Sequence, residues 1–126
     1  MISSKNVRFF GAEFIKNARD RPISTFDDFA SGKIKSEIGT AINKSLSTFS
    51  SDDQKKIRDM FILAIDLSLF EFLTMLEEGA ESMSLIIKND NVESNILDGS
   101  DGLNGELFGD SGWIKSFSEY EIGYFK

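Results

Sequence analysis

Two residue types that dominate enzyme chemistry are missing from this chain of 126 residues, which contains no cysteine and no histidine. Without cysteine, the chain cannot form disulfides, zinc–thiolate sites or thiol nucleophiles. Without histidine, it lacks both the side chain that moves protons near neutral pH and the commonest metal ligand. These absences exclude the usual nucleophile–base pairs, and they leave carboxylate chemistry, such as a glycosidase-like pair or an Asp/Glu-bound Mg²⁺ or Ca²⁺ ion.

Long apolar runs are missing as well. The longest covers residues 60–65 and ends at Asp66, and Glu71 interrupts the next apolar stretch. A membrane span needs about 20 mostly apolar residues. Residues 1–15 alternate charged and apolar side chains, unlike a signal peptide. The sequence therefore predicts a protein with no membrane partner, and the lack of cysteine favours a cytoplasmic location.

The chain nevertheless has the material for a hydrophobic core. Apolar residues make up 40% of it, and twelve of them are phenylalanine. A disordered chain would combine high charge with low hydrophobicity, and only the high charge is found here. At this length we expect residues 1–126 to form a single domain.

The net charge of −7 is distributed unevenly along the chain. Residues 1–50 hold eight bases and five acids, a net +3, whereas residues 51–126 hold six bases and sixteen acids, a net −10. The acidic part repels phosphate backbones, so we do not expect nucleic acid as a partner. It favours a basic protein partner and would speed that encounter at low salt. The alternative is that the acidity serves solubility alone.

Apolar residues at three-to-four spacing predict helices in the first two-thirds of the chain. A first helix, capped by Ser3 or Ser4, is expected to end at Arg21, because the residue before a proline avoids the α region. A short helical turn should follow Pro22, and a second amphipathic helix is predicted within residues 34–46.

A third helix is predicted to begin at Ser51, where Ser51-Asp52-Asp53-Gln54 has the spacing of a capping box, and to end at Glu78. It is apolar nearly all round, which predicts that other elements pack around it. At about 1.5 Å per residue, a single helix here would be about 42 Å long, more than the width of about 36 Å expected for a compact chain of this size. Ser68–Glu71 repeats the capping-box spacing, so the sequence does not decide whether residues 51–78 form one helix or two.

The C-terminal third has a different character. Residues 83–88 and 92–97 are predicted to form a β-hairpin through the turn Asn89-Asp90-Asn91. A short helix is expected from Trp113 to Tyr120 and a last strand over residues 121–125. The predicted fold is α+β, with three to four helices packed around a long central helix, followed by a small antiparallel β-hairpin or sheet.

Three carboxylate groupings are candidates for chemistry. The loop from Asp98 fails the EF-hand pattern, because its sixth residue is Leu103 and not glycine, so no metal site is predicted. Glu106 and Asp110 could form a carboxylate pair. Asp66, inside the most apolar helix, would have a perturbed pKa if buried unpaired; the alternative is that it hydrogen-bonds at a helix junction or pairs with a Lys or Arg of the first helix. No catalytic residue and no cofactor is assigned.

Aromatic and acidic residues cluster towards the C-terminus and predict an interface of aromatic side chains with a charged rim. The candidate partner-binding residues are Asp98, Asp101, Glu106, Asp110, Trp113, Glu119, Tyr120 and Glu121. Two alternatives remain for the aromatic residues: they cover the hairpin and the long helix, or they form the subunit interface of a homo-oligomer.

Two segments, residues 69–78 (LFEFLTMLEE) and 101–114 (DGLNGELFGDSGWI), resemble patterns in small acidic uncharacterised bacterial proteins. Immunity proteins, which neutralise a cognate toxin, are among bacterial proteins of this size and acidity. The resemblance contains no catalytic motif and transfers no residue role. It implies a protein that binds and blocks a partner.

The sequence as a whole predicts a non-enzymatic interaction protein that binds a basic protein through an acidic C-terminal face. The alternative is a small-ligand-binding module, or a carboxylate-dependent enzyme with Asp66 or the Glu106/Asp110 pair at a pocket.

Overall fold

The computed structural model describes residues 5–124 of the chain and has an α+β fold. The helices are α1 (Lys5–Ile15), α2 (Arg21–Ala30), α3 (Glu37–Leu46), α4 (Ser51–Glu78) and α5 (Trp113–Phe117), and the strands are β1 (Ile86–Asn89) and β2 (Val92–Asn95). A π-helical segment, Lys16–Asp20, connects α1 to α2, and 3₁₀ turns occupy Ile96–Gly99 and Asn104–Glu106. The predicted class, a long helix followed by a small antiparallel sheet, is confirmed. The caps proposed at Ser3 and Ser4 lie outside the described residues.

The predicted break at Arg21-Pro22 is wrong, because the chain passes through it without leaving the helical conformation. Arg21 has φ −62° and ψ −48°, and its N–H bonds to the carbonyl of Lys16, five residues back. This π-type bond ends just before the proline, which then occupies the start of α2. A missing N–H is tolerated in the first turn of a helix.

Helix α4 has its predicted bounds and is continuous, but its cap lies one residue before the predicted Ser51. The cap is Ser50, whose Oγ accepts a hydrogen bond from the Asp53 N–H at 3.1 Å. Gln54 Nε2 donates to the Phe49 carbonyl at 3.0 Å. The helix then runs for 28 residues to Glu78, so the segment is one helix and not two.

The β-hairpin follows its predicted turn, with shorter strands than the sequence pattern gave. Antiparallel β1 and β2 pair from Ile86 opposite Asn95 to Asn89 opposite Val92. The two loop residues, Asp90 and Asn91, have φ of 52° and 63°. Two consecutive left-handed residues form the turn that matches strand twist, and Asp and Asn tolerate that conformation.

Helix α1 holds this hairpin in place. Asn6 Nδ2 donates to Ser94 Oγ at 2.8 Å and lies 3.4 Å from the carbonyl oxygens of Ile87 and Val92. The predicted third strand is not formed over residues 121–124, which adopt an irregular conformation, and Phe125 lies outside the described residues. The hairpin therefore gains its support from a helix.

The main core lies between α1, the C-terminal half of α4 and residues 96–114. Its buried members are Val7, Ile15, Leu69, Leu73, Leu76, Ile96, Leu103, Leu107, Trp113 and Ile114. The indole of Trp113 lies so close to Gly11 that a Cβ there would overlap it. Within residues 5–124, no helix is both long and apolar enough to cross a membrane.

Candidate partner-binding groove

A groove with a volume of about 530 Å³ lies beside α5, and we call it the C-terminal groove. The loop before α5 contributes Phe108 and Asp110, α5 contributes Ile114 and Lys115, and residues 118–122 form the rest of the lining. Buried Ile114 supplies part of an apolar floor. The groove therefore combines apolar surface with charged side chains.

Four of the predicted partner-binding residues meet in this groove: Asp110, Glu119, Tyr120 and Glu121. The three acids are exposed, and Tyr120 is half-buried. Lys115 is the base that lines the groove with them. Three carboxylates against one ammonium leave the lining with an excess of negative charge near neutral pH.

The remaining predicted residues do not line the groove. Asp98, Asp101 and Glu106 lie on the segment before it, where Asp98 and Asp101 are exposed and Glu106 is half-buried. Of the proposed Glu106/Asp110 carboxylate pair, only Asp110 lines the groove. The predicted acidic residues are therefore only partly assembled in the groove.

Trp113 must be removed from the predicted surface, because only 2% of its area is exposed. Its ring makes an edge-on contact with Phe10 at 5.8 Å and with Phe14 at 6.3 Å between centroids. An indole packed in this way contributes to the core and is not available to a partner. Trp113 therefore belongs to the core, where it packs against α1.

A fully buried ion pair positions the wall of the groove. Arg19 Nε donates to Asp66 Oδ1 at 2.7 Å and Arg19 Nη2 to Asp66 Oδ2 at 3.2 Å. Arg19 Nη1 donates to Ser118 Oγ at 2.7 Å and to the Tyr120 carbonyl at 2.6 Å. One guanidinium thus connects α4 to the chain after α5, and the fixed fork of arginine suits this role.

Asp20 fixes the same wall from the neighbouring position. Its Oδ1 accepts the Ser118 hydroxyl at 2.5 Å, and its Oδ2 accepts the Glu119 N–H at 2.9 Å. Ser118 Oγ also accepts the Tyr120 N–H at 3.0 Å. The backbone of residues 118–120 is therefore held at each position, and the Glu119 side chain starts from a fixed base.

Tyr124 closes the network around Asp66. Its hydroxyl donates to Asp66 Oδ2 at 3.1 Å. Burial, together with the nearby Asp66 charge and this hydrogen bond, raises the pKa of Tyr124 to about 12. Both oxygens of Asp66 are thus engaged, which confirms the interpretation that Asp66 pairs with a base of the first helical region. Asp66 does not line the C-terminal groove.

On its other side, the Glu119–Tyr120 pair borders a second groove of about 470 Å³, whose lining includes Lys16 and Arg21. The Tyr120 ring lies 5.8 Å from the guanidinium of Arg58, within the range of a cation–π contact. The second groove places Lys16 and Arg21 beside the acids Asp20 and Glu119, so a partner covering both grooves would meet charges of both signs.

The residues that build this site were largely missed from sequence, since Arg19, Asp20 and Ser118 were not candidates. The available signal was Asp66, a carboxylate inside an apolar helix, which requires a buried cation or donor. Among residues 5–124, no three acids lie close enough together to hold a metal ion. The carboxylates of Asp20 and Asp66 use their oxygens to position the groove wall.

No family model, no curated protein and no solved structure matches this chain. A functional interpretation therefore depends on the geometry of its grooves and surfaces.

Proposed function

We propose that this protein is a non-enzymatic interaction protein that binds a basic segment of a partner protein in the C-terminal groove. The observation that supports it most is the convergence of Asp110, Glu119 and Glu121 around a groove with buried Ile114 in its floor. Apolar floors with charged rims are the usual anatomy of protein interfaces. The net charge of −10 over residues 51–126 would steer a basic partner towards this part of the chain.

The rigidity of the groove wall also supports the proposal. Residues 118–120 are tied to Arg19 and Asp20 before any partner arrives. A pre-organised surface binds more tightly because less conformational entropy is lost on association.

In its most specific form, the proposal is a toxin-neutralising immunity protein, in which binding also blocks the partner's activity. Such an immunity protein would act in the cytoplasm, where the toxin would be made. Co-expression of a candidate toxin with either the unaltered protein or a groove variant tests this form through cell survival.

The general proposal is tested with an array of short peptides that combine Lys or Arg with apolar residues, and a matched array in which Glu replaces the bases. We expect binding to the basic array that weakens as salt is raised from about 50 to 500 mM, because screening shortens the reach of the charges. The triple variant Asp110→Asn, Glu119→Gln and Glu121→Gln should bind at least about tenfold more weakly.

A matched control is the triple variant Asp98→Asn, Asp101→Asn and Glu106→Gln. It also removes three negative charges, but from residues that do not line the groove. This control should retain most of the binding. Equal losses in both triple variants would show that net charge alone is responsible and would contradict a site in the groove. Unchanged binding in the groove variant would also contradict it.

A second candidate function is small-ligand binding, because a volume of about 530 Å³ falls within the usual range for ligand pockets. Thermal shift against a library of small cations and apolar amines separates the two functions. Stabilisation by a small molecule that the groove variant abolishes, without peptide binding, would favour the ligand-binding alternative.

A further inference from the structure

The outer side of α4 carries several exposed apolar residues. Met60 is 70% exposed and Leu67 is 54% exposed, and Met75 and Ala64 on the same side are also exposed. Ser68 also lies on this side, and its hydroxyl donates a hydrogen bond to the Ala64 carbonyl at 2.9 Å, so its donor is already satisfied within the helix. Exposed apolar side chains grouped on one side of a helix are typical of an interaction site.

The residues of this side follow the spacing of a helix that packs against another helix. They recur every three or four positions, so they lie along one stripe. The stripe consists of Lys56, Met60, Leu63, Leu67, Glu71, Thr74 and Glu78. Thr74 also accepts a hydrogen bond from Asn104 Nδ2 at 3.1 Å, so its outer surface is only partly available. From Met60 to Thr74 it extends about 21 Å at 1.5 Å per residue.

Charges at the two ends of the stripe determine which partner fits it. Lys56 lies eleven residues before Leu67, and Glu78 lies eleven residues after it. In an antiparallel pair of α4 helices centred on Leu67, each Lys56 would therefore face the Glu78 of the other copy. A parallel pair would place Lys56 against Lys56 and Glu78 against Glu78, which repel.

We infer that two copies of this protein pair through the outer side of α4, antiparallel, with Leu67 at the twofold axis. The contact is isologous, so the same patch serves both copies and the complex closes as a dimer. Unbranched methionine side chains adapt to such a contact. The C-terminal groove lies on other elements, so the dimer and the proposed function can fail independently.

The first test is the molar mass of the intact chain, measured by light scattering over a concentration series. The unaltered protein should approach twice the chain mass of 14.1 kDa as concentration rises. Leu67→Glu should weaken the dimer at least about tenfold. Ile38→Glu is a matched control, because Ile38 is 64% exposed on α3, away from the stripe, and it should dimerise normally.

Charge reversal tests the register. Lys56→Glu alone and Glu78→Lys alone should each weaken the dimer, and the double variant in one chain should restore it, because both pairs are rebuilt with exchanged signs. Double and single variants that dimerise equally would overturn the proposed register.

The absence of cysteine allows a cleaner test of orientation. Leu67→Cys should form an intermolecular disulfide under mild oxidation, whereas Met60→Cys should not, because its two copies would lie about 21 Å apart along the axis. Efficient cross-linking of both variants would indicate a parallel pair and overturn the inference. A chain that stays monomeric throughout the series would also overturn it, as would vesicle binding that Leu67→Glu abolishes without any change of mass.

Discussion

Two consecutive residues of α4 lie in opposite environments. Asp66 is completely buried, whereas Leu67 beside it is 54% exposed. The inner side of the helix offers Asp66 a guanidinium and a tyrosine hydroxyl, which meet the hydrogen-bonding needs of a buried carboxylate. The polarity of a side chain therefore does not decide which side of α4 is inside; the neighbours available at each position do.

The comparison also separates two contributions to the fold. A buried ion pair adds little net stability, because desolvation of the two charges offsets their attraction. Its contribution here is positional, since Arg19 connects α4 to Ser118 and Tyr120. The apolar contacts of the inner side, such as those of buried Leu73, supply most of the free energy.

The largest expected effect comes from breaking the buried pair. Asp66→Ala should lower the free energy of unfolding by about 3–5 kcal/mol, because Arg19 would stay buried without its carboxylate. Urea unfolding measures the change. The control is Asp28→Ala, which removes an exposed carboxylate 3.9 Å from Lys33 and should cost less than about 1 kcal/mol. A similar small cost for both variants would contradict the comparison.

Replacing both members of the pair sharpens the same point. Arg19→Met with Asp66→Leu should recover at least half of the stability lost in Asp66→Ala, since no unpaired charge remains. Hydrogen exchange at residues 118–120 should nevertheless be faster than in the unaltered protein. Unchanged exchange there would show that the pair does not position the groove wall.

The next effect is on the apolar contacts of the inner side. Leu73 has no exposed surface, and Leu73→Ala should lower the free energy of unfolding by about 2–5 kcal/mol through lost burial and the cavity that remains. Thermal and urea unfolding should agree. A loss below about 1 kcal/mol would mean that the core relaxes around the cavity.

A smaller effect is expected at Tyr124, where Tyr124→Phe should cost about 0.5–1.5 kcal/mol for the lost hydrogen bond to Asp66. The pKa of Tyr124 is raised from 10.0 to about 12, so the folded state keeps the phenol proton to a higher pH than the unfolded state does. The resulting stabilisation is complete below pH 10 and declines as the pH rises towards 12. Unfolding between these values should be less pH-dependent in Tyr124→Phe, and tyrosinate absorbance should lose its high-pH component.

The smallest effect belongs to the outer side. At high dilution, where the chain is monomeric, Leu67→Ala should change the free energy of unfolding by less than about 0.5 kcal/mol. Urea unfolding beside Leu73→Ala provides the direct comparison. A cost near that of Leu73→Ala would show that Leu67 packs inside the monomer.

Local signals in the sequence predicted most of the elements. The serine and acidic residues at the start of α4 located its cap to within one residue, and Asp90-Asn91 located the hairpin, because caps and turns depend on a few adjacent side chains. The break at Pro22 was wrong because a π-type bond to a residue five positions back is not visible in a local pattern.

The candidate site was less predictable, because it depends on contacts between distant parts of the chain. The acids of the groove could be named from the sequence, but their position around one groove could not be predicted. That position depends on contacts of Arg19 with Ser118 and Tyr120, which are 99 and 101 positions away in the chain. Trp113 was placed on a surface because its aromatic neighbours are near acids in sequence. Its burial follows from the approach of α1 at Gly11, which the sequence pattern does not encode.

The π-helical segment has a consequence for how the first 30 residues can change. Its hydrogen bonds span five residues where those of an α-helix span four, so α2 is rotated relative to α1 compared with one continuous α-helix. Phe14 can then lie near Trp113 while Phe26 stacks on Phe61 at 4.7 Å. Loss of one residue within Lys16–Asp20 would leave both helices intact but change the rotation of α2 relative to α1. The aromatic contacts of α1 and those of α2 could then not form at the same time.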